Sequence, residues 1–476
     1  MSGRAGATRV LIVGAVAAGS KAAATARRRD PEARIVVIGD EPDIAYSACG
    51  LPYHLGDPAG IPRARLVART PERFRADGID LRVRHRVDGL DLDAGTASIV
   101  DLDTGRFVRE PFDRLLLATG AQAIRPPIPT VDGAPPAITL RSMADLDRAT
   151  PLVQGVRRVV IAGAGYVGLE AADAFRRRDV SVTIVERMPR ILPAFGDGPA
   201  TLVAAELAAE GIELILGEGV AALEPGIVVL DGGRRLPADL VLLAVGVRPN
   251  VGLAREAGVG IGITGAIAVD DRMATDHPAV FAAGDCAEAI QRQTGRPIWM
   301  PLGDVANRQG RVAGENLVGG DRRFPGVIGT AVFDIFSLTV GRTGLTATDA
   351  TAAGFEPVST SVSAPSRARY MPGSVPLELG LVADRTSGRI LGATAVGADG
   401  ADKAIDIVAT AIWGGLTMDD LADVDLAYAP PVSPVFAPVQ VAAEVLRGEL
   451  RASATGGAGA AVRGRPAVSA VPAANG

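Results

Sequence analysis

A strand, a glycine-bracketed turn, a helix and a second strand follow one another twice along this chain. The second copy is the more regular: residues 158–162 predict a strand, Gly163, Gly165 and Gly168 form a GxGxxG turn, and residues 169–178 predict a helix. Glycines at this spacing let a pyrophosphate approach the N-terminus of the helix. Two such units predict an α/β protein with two Rossmann-like nucleotide-binding domains.

The first copy lies near the N-terminus and is less regular. Residues 10–13 predict a strand, residues 19–29 a helix and residues 35–38 a second strand. Valine replaces the middle glycine of the turn, and Gly39 stands where an acidic residue is expected, with Asp40 directly after it. The residues that we predict to hold a dinucleotide here are Gly14, Ala15, Val16, Ala17, Ala18, Gly19 and Asp40.

An acidic residue closes the strand after the second turn. Glu186 is placed to accept a hydrogen bond from the 2′-hydroxyl of an adenosine ribose, which favours NADH. Arg187 and Arg190 leave NADPH as the alternative, because an arginine at this place can pair with a 2′-phosphate. The predicted NAD contacts are Gly163, Gly165, Tyr166, Val167, Gly168, Glu170 and Glu186.

Two later segments strengthen the prediction for the first copy. An apolar strand ends in Ala-Thr-Gly at Thr119 and Gly120, and another ends at Gly284 and Asp285, whose carboxylate suits a ribityl hydroxyl. Residues 301–307 predict the start of a helix that contains Ala306, with Asp304 as its N-terminal cap. Together these residues predict FAD as the first nucleotide.

One cysteine follows the first nucleotide-binding unit, in the run Tyr-Ser-Ala-Cys-Gly-Leu-Pro-Tyr, where it would face a flavin. Redox pairs of the CxxxxC type would place a second cysteine at His54, so Cys49 has no such partner. Cys286, the other cysteine, is predicted to be a small packing residue. Thiol chemistry at Cys49 must therefore use a bound small thiol, a sulfenic acid or a sulfane sulfur.

Composition excludes several classes of partner. The net charge of −5 and the pI near 5.5 give no basic surface for nucleic acid. No run of 18 or more apolar residues predicts a membrane span. Two cysteines in 476 residues favour a reducing cytoplasm over a disulfide framework, and no metal site is predicted.

The set of motifs, in this order, resembles the superfamily of FAD- and pyridine-nucleotide-dependent disulfide oxidoreductases. The run Ala-Cys-Gly-Leu-Pro-Tyr and the later run Asp-Leu-Ala-Tyr-Ala-Pro-Pro, residues 425–431, resemble its single-cysteine branch, which contains coenzyme A disulfide reductases, NAD(P)H sulfur reductases and NADH oxidases. The resemblance implies an FAD domain of residues 1–150 and 250–324, interrupted by an NAD(P)H domain of residues 151–249. It also implies an α+β dimerisation domain of residues 325–450, which we expect to be followed by a disordered tail of residues 451–476.

The resemblance also implies roles at the site. In the resembling enzymes the matching cysteine forms a mixed disulfide with coenzyme A, and two tyrosines come from the other subunit of a homodimer. Carried over, Cys49 is the redox thiol and Tyr428 its phenolic neighbour. The implied substrate contacts are Lys21, Arg28, Tyr46, Arg73 and Tyr370.

The expected activity is reduction of a small disulfide or polysulfide, with coenzyme A disulfide as the first candidate and coenzyme A as a bound group. Two alternatives stay open. In an NADH oxidase, Cys49 would cycle through sulfenic acid with oxygen as the acceptor. In an electron-transfer flavoprotein, the acceptor would be a protein, as the run Gly39-Asp40-Glu41-Pro42 suggests by its similarity to ferredoxin reductases.

Overall fold

Short β-branched runs build the centre of the N-terminal unit. The computed structural model describes residues 7–455, and in it the run Arg-Val-Leu-Ile-Val is buried at four of its five positions. Such continuous apolar strands are typical of a parallel sheet covered on both faces. The elements up to residue 123 are β1 (Arg9–Val13), α1 (Ala17–Arg29), β2 (Arg34–Ile38), α2 (Leu51–Gly56), α3 (Pro71–Ala76), β3 (Asp80–Arg82), β4 (His85–Asp91), β5 (Thr96–Asp101), β6 (Phe107–Pro111), β7 (Arg114–Leu117) and β8 (Ala121–Ala123).

The next stretch repeats the strand–helix–strand pattern and adds a small antiparallel sheet. Its elements are β9 (Ala137–Ile138), α4 (Met143–Leu152), β10 (Arg158–Ala162), α5 (Tyr166–Arg176), β11 (Ser181–Glu186), α6 (Asp197–Ala209), β12 (Glu213–Leu216), β13 (Val220–Glu224), β14 (Ile227–Leu230), β15 (Arg235–Pro237), β16 (Leu240–Leu243) and β17 (Val247–Pro249).

The chain then returns to the first unit and continues into a third. The returning elements are α7 (Gly252–Glu256), β18 (Val280–Ala282), β19 (Ala289–Ile290), β20 (Pro297–Ile298) and α8 (Gly303–Asn316). The third unit contains β21 (Ala331–Ile335), β22 (Leu338–Gly344), α9 (Ala347–Ala352), β23 (Pro357–Pro365), β24 (Pro376–Asp384), β25 (Ile390–Gly397), α10 (Ala401–Gly414), α11 (Met418–Asp423) and α12 (Pro438–Thr455).

Three five-stranded sheets organise these elements. The first has the order β18-β7-β1-β2-β3, so a strand from residues 280–282 completes a sheet that begins at residue 9. The second has the order β12-β11-β10-β16-β9, and the third the order β21-β22-β25-β24-β23. Pairing is parallel in the first two sheets and antiparallel in the third, where α10 and α12 share the buried core. The predicted α/β class, with two nucleotide-binding units and an α+β unit, is confirmed.

Helices α1 and α8 pack so closely that their backbones touch. A Cβ atom added to Gly310 would lie 2.3 Å from the backbone oxygen of Ala18, and one added to Gly314 would lie 2.4 Å from that of Ala22. Glycine is required at both positions because any side chain would separate the helices. The first glycine turn and α8 are therefore fixed relative to each other.

Two local predictions need correction. Asp304 lies in the first turn of α8 and is not its cap, because the residue before the helix is Leu302, whose side chain can accept no hydrogen bond. Residues 451–455 belong to α12 and are not part of a disordered tail. Alanine and serine continue that helix without a break, whereas residues 456–476 lie outside the described residues.

Within residues 7–455, every helix is too short or too polar to cross a bilayer. The same residues contain no group of three or more His, Cys, Asp or Glu side chains placed to hold a metal ion.

Candidate active site

The first glycine turn forms a cradle into which side chains would not fit. Gly14 has a φ of +110°, and a Cβ atom there would lie 2.0 Å from the backbone oxygen of Ala118. A Cβ atom on Gly19 would lie 1.8 Å from the backbone oxygen of Gly14. Helix α1 has no side-chain cap and no acidic residue in its first turn. Its first amide groups are thus left for an anion, which fits the pyrophosphate of FAD.

The second turn has the same construction with an open centre. A Cβ atom on Gly163 would lie 2.4 Å from the backbone oxygen of Ala244, and one on Gly168 would lie 2.0 Å from that of Gly163. Space is open around Gly165, and α5, which begins with Tyr166 and Val167, has no side-chain cap. This loop fits the pyrophosphate of a pyridine nucleotide.

Glu186 is fixed beside the second turn by backbone amides. Its two carboxylate oxygens accept hydrogen bonds from the N–H groups of Ala164 and Met188, each at 2.8 Å. The two arginines that could favour a 2′-phosphate are paired elsewhere, Arg187 with Asp231 at 3.2 Å and Arg190 with Asp197 at 2.5 Å. The carboxylate therefore dominates the charge at the end of β11.

The Ala-Thr-Gly segment after β7 is held by a reciprocal pair of hydrogen bonds. The Thr119 hydroxyl donates to the backbone oxygen of Asn250 at 2.7 Å, and the Asn250 amide donates to that of Thr119 at 2.8 Å. Gly120, with a φ of +66°, makes the turn that follows. These bonds join the two separated parts of the first nucleotide-binding unit.

Asp40 and its neighbour Glu41 have different surroundings. Asp40 is exposed just beyond β2, whereas Glu41 is half-buried and accepts a hydrogen bond from the Tyr46 hydroxyl at 2.8 Å. Burial raises the pKa of the Glu41 carboxyl. Tyr46, a predicted substrate contact, is buried, and its hydroxyl is bonded to Glu41. No sequence motif identifies the pair, because both residues lie in an irregular segment.

Cys49 lies in a short 3₁₀ turn, Ala48–Gly50, directly before α2. The residue is exposed, yet protein atoms crowd its thiol, and a Cβ atom built on Gly303 would lie 4.0 Å from the Cys49 Sγ. Crowding raises the pKa of the thiol, as do the charges of Glu170 and Asp285, whereas Arg141 lowers that pKa. Gly303 begins α8, a helix of 14 residues, and the partial positive charge of a helix N-terminus favours a thiolate.

Arg141 is a site residue that sequence reasoning missed. Its guanidinium forms an ion pair with the Asp285 carboxylate at 2.5 Å, and both side chains are mostly buried. Arg141 follows β9 in an irregular segment just before the Ser142 cap of α4, where no motif distinguishes it from the many surface arginines. Only the fold brings it to Asp285.

Tyr53 is a second residue that the motifs did not identify. Its hydroxyl donates a hydrogen bond of 3.1 Å to the carboxylate of Glu170, on α5. Burial raises the pKa of Glu170 to about 7, and the charge of Asp334 contributes in the same direction. The helix that follows Cys49 is thereby linked to the helix of the second glycine turn.

The predicted basic substrate contacts lie on α1 and α3. Lys21 is half-buried on α1, and Arg28 is exposed, with its guanidinium donating to the Thr25 hydroxyl at 3.2 Å. Arg73 on α3 pairs loosely with Asp77 at 3.7 Å. A pair this long and this exposed adds little stability, so Arg73 is available to other anions.

The two predicted tyrosines of the third unit lie on its surface. Tyr370 is 74% exposed and Tyr428 is 51% exposed, and neither hydroxyl bonds to another residue of the described range 7–455. Their loops touch, because the Ala368 N–H donates to the backbone oxygen of Pro430 at 3.2 Å. The two tyrosines therefore lie on neighbouring surface loops, and no hydrogen bond among residues 7–455 joins either of them to Cys49.

Comparison with known proteins agrees with this geometry. Residues 8–310 match the model of the pyridine nucleotide-disulphide oxidoreductase family, and residues 330–439 match the dimerisation domain of that family. The chain belongs to the pyridine nucleotide-disulphide oxidoreductase family. It is accordingly an FAD- and NAD(P)H-dependent oxidoreductase, and the predicted family, enzyme class and cofactors are confirmed.

Similar proteins align with most of this chain and with most of their own length. An NAD(P)H sulfur oxidoreductase (CoA-dependent) of Pyrococcus abyssi is 36% identical over 455 residues, which cover 92% of this chain and 98% of that protein. An NADH oxidase of Methanocaldococcus jannaschii is 36% identical over 445 residues, with 92% and 98% covered. The crystal structure of reduced CoADR-RHD of Bacillus anthracis superposes with a TM-score of 0.91 at 33% identity, covering 94% of this chain and 81% of that one.

Proposed function

We propose that this family member reduces a low-molecular-weight disulfide or polysulfide with Cys49 as its single redox thiol, and that coenzyme A disulfide is the first candidate substrate. The observation that carries the proposal is the isolation of Cys49. Its only possible partner in the chain, Cys286, is fully buried, with its Sγ against the backbone oxygen of Leu117 at 3.4 Å. A dithiol mechanism is therefore unsupported.

The proposed reaction balances with one external disulfide. The Cys49 thiolate attacks one sulfur of R–S–S–R, forming the mixed disulfide Cys49–S–S–R and releasing one thiolate. Two electrons then break the mixed disulfide, releasing the second thiolate and restoring Cys49. These electrons would come from FAD, which the first glycine turn and Asp285 would hold and which would be reduced by a hydride from the pyridine nucleotide. Two protons convert the two released thiolates to thiols. In the net reaction, one disulfide, one NADH and one solvent proton give two thiols and NAD⁺.

The chain's own residues support the thiolate. The N-terminus of α8 at Gly303 and the positive charge of Arg141 favour the anionic form, opposing the crowding and the carboxylates that raise the pKa of the thiol. Thiolate and not thiol is the nucleophile. Gly303 and Arg141 are therefore proposed to activate Cys49, whereas other residues of the site hold the two nucleotides.

We propose that the FAD-binding residues are those of the first turn together with Asp40, Thr119, Gly120, Gly284, Asp285 and Ala306. For the pyridine nucleotide we propose the second turn, Glu170 and Glu186, with NADH preferred over NADPH. The preference is supported by the anchored carboxylate of Glu186 and by the acidic partners of Arg187 and Arg190.

We further propose a homodimer in which Tyr428 reaches the partner's cysteine site. The match to the dimerisation domain supports this, as do the exposed apolar side chains next to Tyr428, among them Val432 at 61% and Phe436 at 68% exposure. A phenol there would donate a proton to the leaving thiolate. Tyr370, on the touching loop, would line the same site.

Lys21, Arg28 and Arg73 are proposed to contact the phosphates of coenzyme A. The names of the relatives support coenzyme A, and the exposure of Arg28 and Arg73 leaves both side chains accessible. We also place the enzyme in a reducing cytoplasm, where unpaired thiols such as Cys49 stay reduced.

An oxidase is the second candidate, because a relative of equal identity is named NADH oxidase and Cys49 is exposed to solvent. The experiment that separates the two offers coenzyme A disulfide, polysulfide and oxygen as competing acceptors and follows NADH consumption. The proposal expects disulfide or polysulfide to dominate in air. A rate that depends on oxygen alone would replace it with the oxidase.

A further inference from the structure

Gln309 lies in the middle of α8 and is almost completely buried, with 1% of its surface exposed. Both polar atoms of its amide are bonded to one turn of the chain. The Oε1 atom accepts a hydrogen bond from the Gly284 N–H at 2.8 Å, and the Nε2 atom donates to the backbone oxygen of Glu288 at 2.8 Å. The side chain thus spans both ends of residues 284–288.

The same turn is held from two other directions. The indole N–H of Trp299 donates to the backbone oxygen of Asp285 at 2.8 Å, and Arg141 pairs with the carboxylate of Asp285. Gly284 has a φ of +85°, and a Cβ atom there would lie 2.9 Å from the Cβ of Ala18. The turn is therefore pressed against α1 while α8 holds it by hydrogen bonds.

The helix that carries Gln309 also reaches Cys49. Its first residue, Gly303, approaches the Cys49 Sγ, and its later glycines fix it against α1. One helix thus begins close to the thiol, with an added Cβ on Gly303 4.0 Å from the Sγ, and binds the Asp285 turn about two turns later. Asp285 is the carboxylate proposed to hold the ribityl chain of FAD.

We propose that Gln309 is a positioning residue. Its amide holds Asp285 at a fixed position relative to Cys49 and thereby sets the rate at which FAD dissociates from the site beside the thiol. This inference rests on the proposed function only for the roles of Asp285 and Cys49. Gln309 itself touches neither the substrate nor the thiol. Its effect passes through the backbone of residues 284–288.

The decisive variant is Gln309→Met, which keeps the length and loses both hydrogen bonds. The holoenzyme should release FAD about tenfold faster than the wild type, the change expected when a displaced Asp285 loses one hydrogen bond of ordinary strength to FAD. FAD release is followed by the rise in flavin fluorescence on dilution, which needs no turnover. A second measurement uses a Trp413→Phe background, in which Trp299 is the only tryptophan. In that background, acrylamide should quench the Trp299 fluorescence more strongly when Gln309→Met is also present.

Asn316 supplies a matched control on the same helix. It is 6% exposed, its Nδ2 donates to the backbone oxygens of Arg272 and Arg322, and its Oδ1 accepts from the Arg322 N–H. Asn316→Leu removes comparable buried bonds at the far end of α8. It should lower the melting temperature without speeding FAD release, because it does not touch the Asp285 turn.

If Gln309→Met released FAD at the wild-type rate, the proposal would be overturned. It would also be overturned if Asn316→Leu released FAD as fast as Gln309→Met does. If Gln309→Met does not fold, Trp299→Phe is measured in the same way, since it removes the other backbone bond of the turn. Faster release supports the proposal and unchanged release rejects it. Failure of the proposed function would appear separately, as a wild type that retains FAD but reduces no disulfide.

Discussion

The Tyr53 hydroxyl donates a hydrogen bond of 3.1 Å to Glu170, and this bond joins the helix after Cys49 to the helix of the second glycine turn. The two helices pack closely, because a Cβ atom on Gly56 would lie 3.0 Å from the Cα of Ala174. Within residues 7–455, Glu170 has no ion pair with an arginine or lysine. Its charge is therefore controlled by burial and by the phenol.

We expect the stability of the protein to fall between about pH 5 and pH 7 because of Glu170. Burial raises the pKa of Glu170 to about 7, above its ordinary value of 4.5. A carboxyl with a raised pKa stabilises the fold below its unfolded pKa, and that stabilisation is lost as the pH rises through the folded pKa. Between these two pH values, the melting temperature of Glu170→Gln should fall less than that of the wild type.

Glu256→Gln is the control, since Glu256 is an exposed glutamate of α7. It should follow the wild-type pH profile. Identical profiles for Glu170→Gln and the wild type would show that Glu170 does not titrate in this range.

Cys49→Ser should lose disulfide turnover while NADH still bleaches the bound flavin, because the hydride step requires no thiol. Stopped-flow absorbance separates the two steps. Cys286→Ser is the matched control and should keep turnover, since the Cys286 thiol is buried and turned toward backbone oxygens. Disulfide reduction at the parental rate by Cys49→Ser would refute the single-thiol mechanism.

Glu186→Ala should reduce the kcat/KM for NADH by about 1–3 kcal/mol of transition-state stabilisation, the usual loss for a hydrogen bond to a charged group. The ratio of kcat/KM for NADH to that for NADPH should also fall, because the carboxylate no longer repels a 2′-phosphate. Steady-state kinetics with both nucleotides provide the measurement. A wild type that already prefers NADPH would contradict the assignment.

Tyr428→Phe should slow disulfide turnover and leave flavin reduction by NADH unchanged, because only the leaving thiolate needs the phenol. Mixed dimers of Cys49→Ser and Tyr428→Phe subunits should recover activity, since one of their two sites has both residues intact. A fully active monomer in sedimentation, or no recovery on mixing, would contradict a site shared between subunits.

The sequence was informative where a motif carries its own geometry. Both glycine turns and Glu186 lie as their spacing predicted, because a strand–turn–helix unit is defined by local backbone constraints. Arg141 and Tyr53 could not be found in this way, since their partners Asp285 and Glu170 are more than 100 residues away along the chain. The predicted Asp304 cap was wrong because the helix begins before that residue, at Gly303, and Leu302 takes the capping position.

In the proposed reaction a single thiol, that of Cys49, carries the substrate. This can be measured by mass spectrometry of the protein after exposure to coenzyme A disulfide without NADH. We expect one coenzyme A on the peptide that contains Cys49, removed by dithiothreitol, and none on the peptide that contains Cys286. An unmodified Cys49, or one that carries only oxygen, would contradict it.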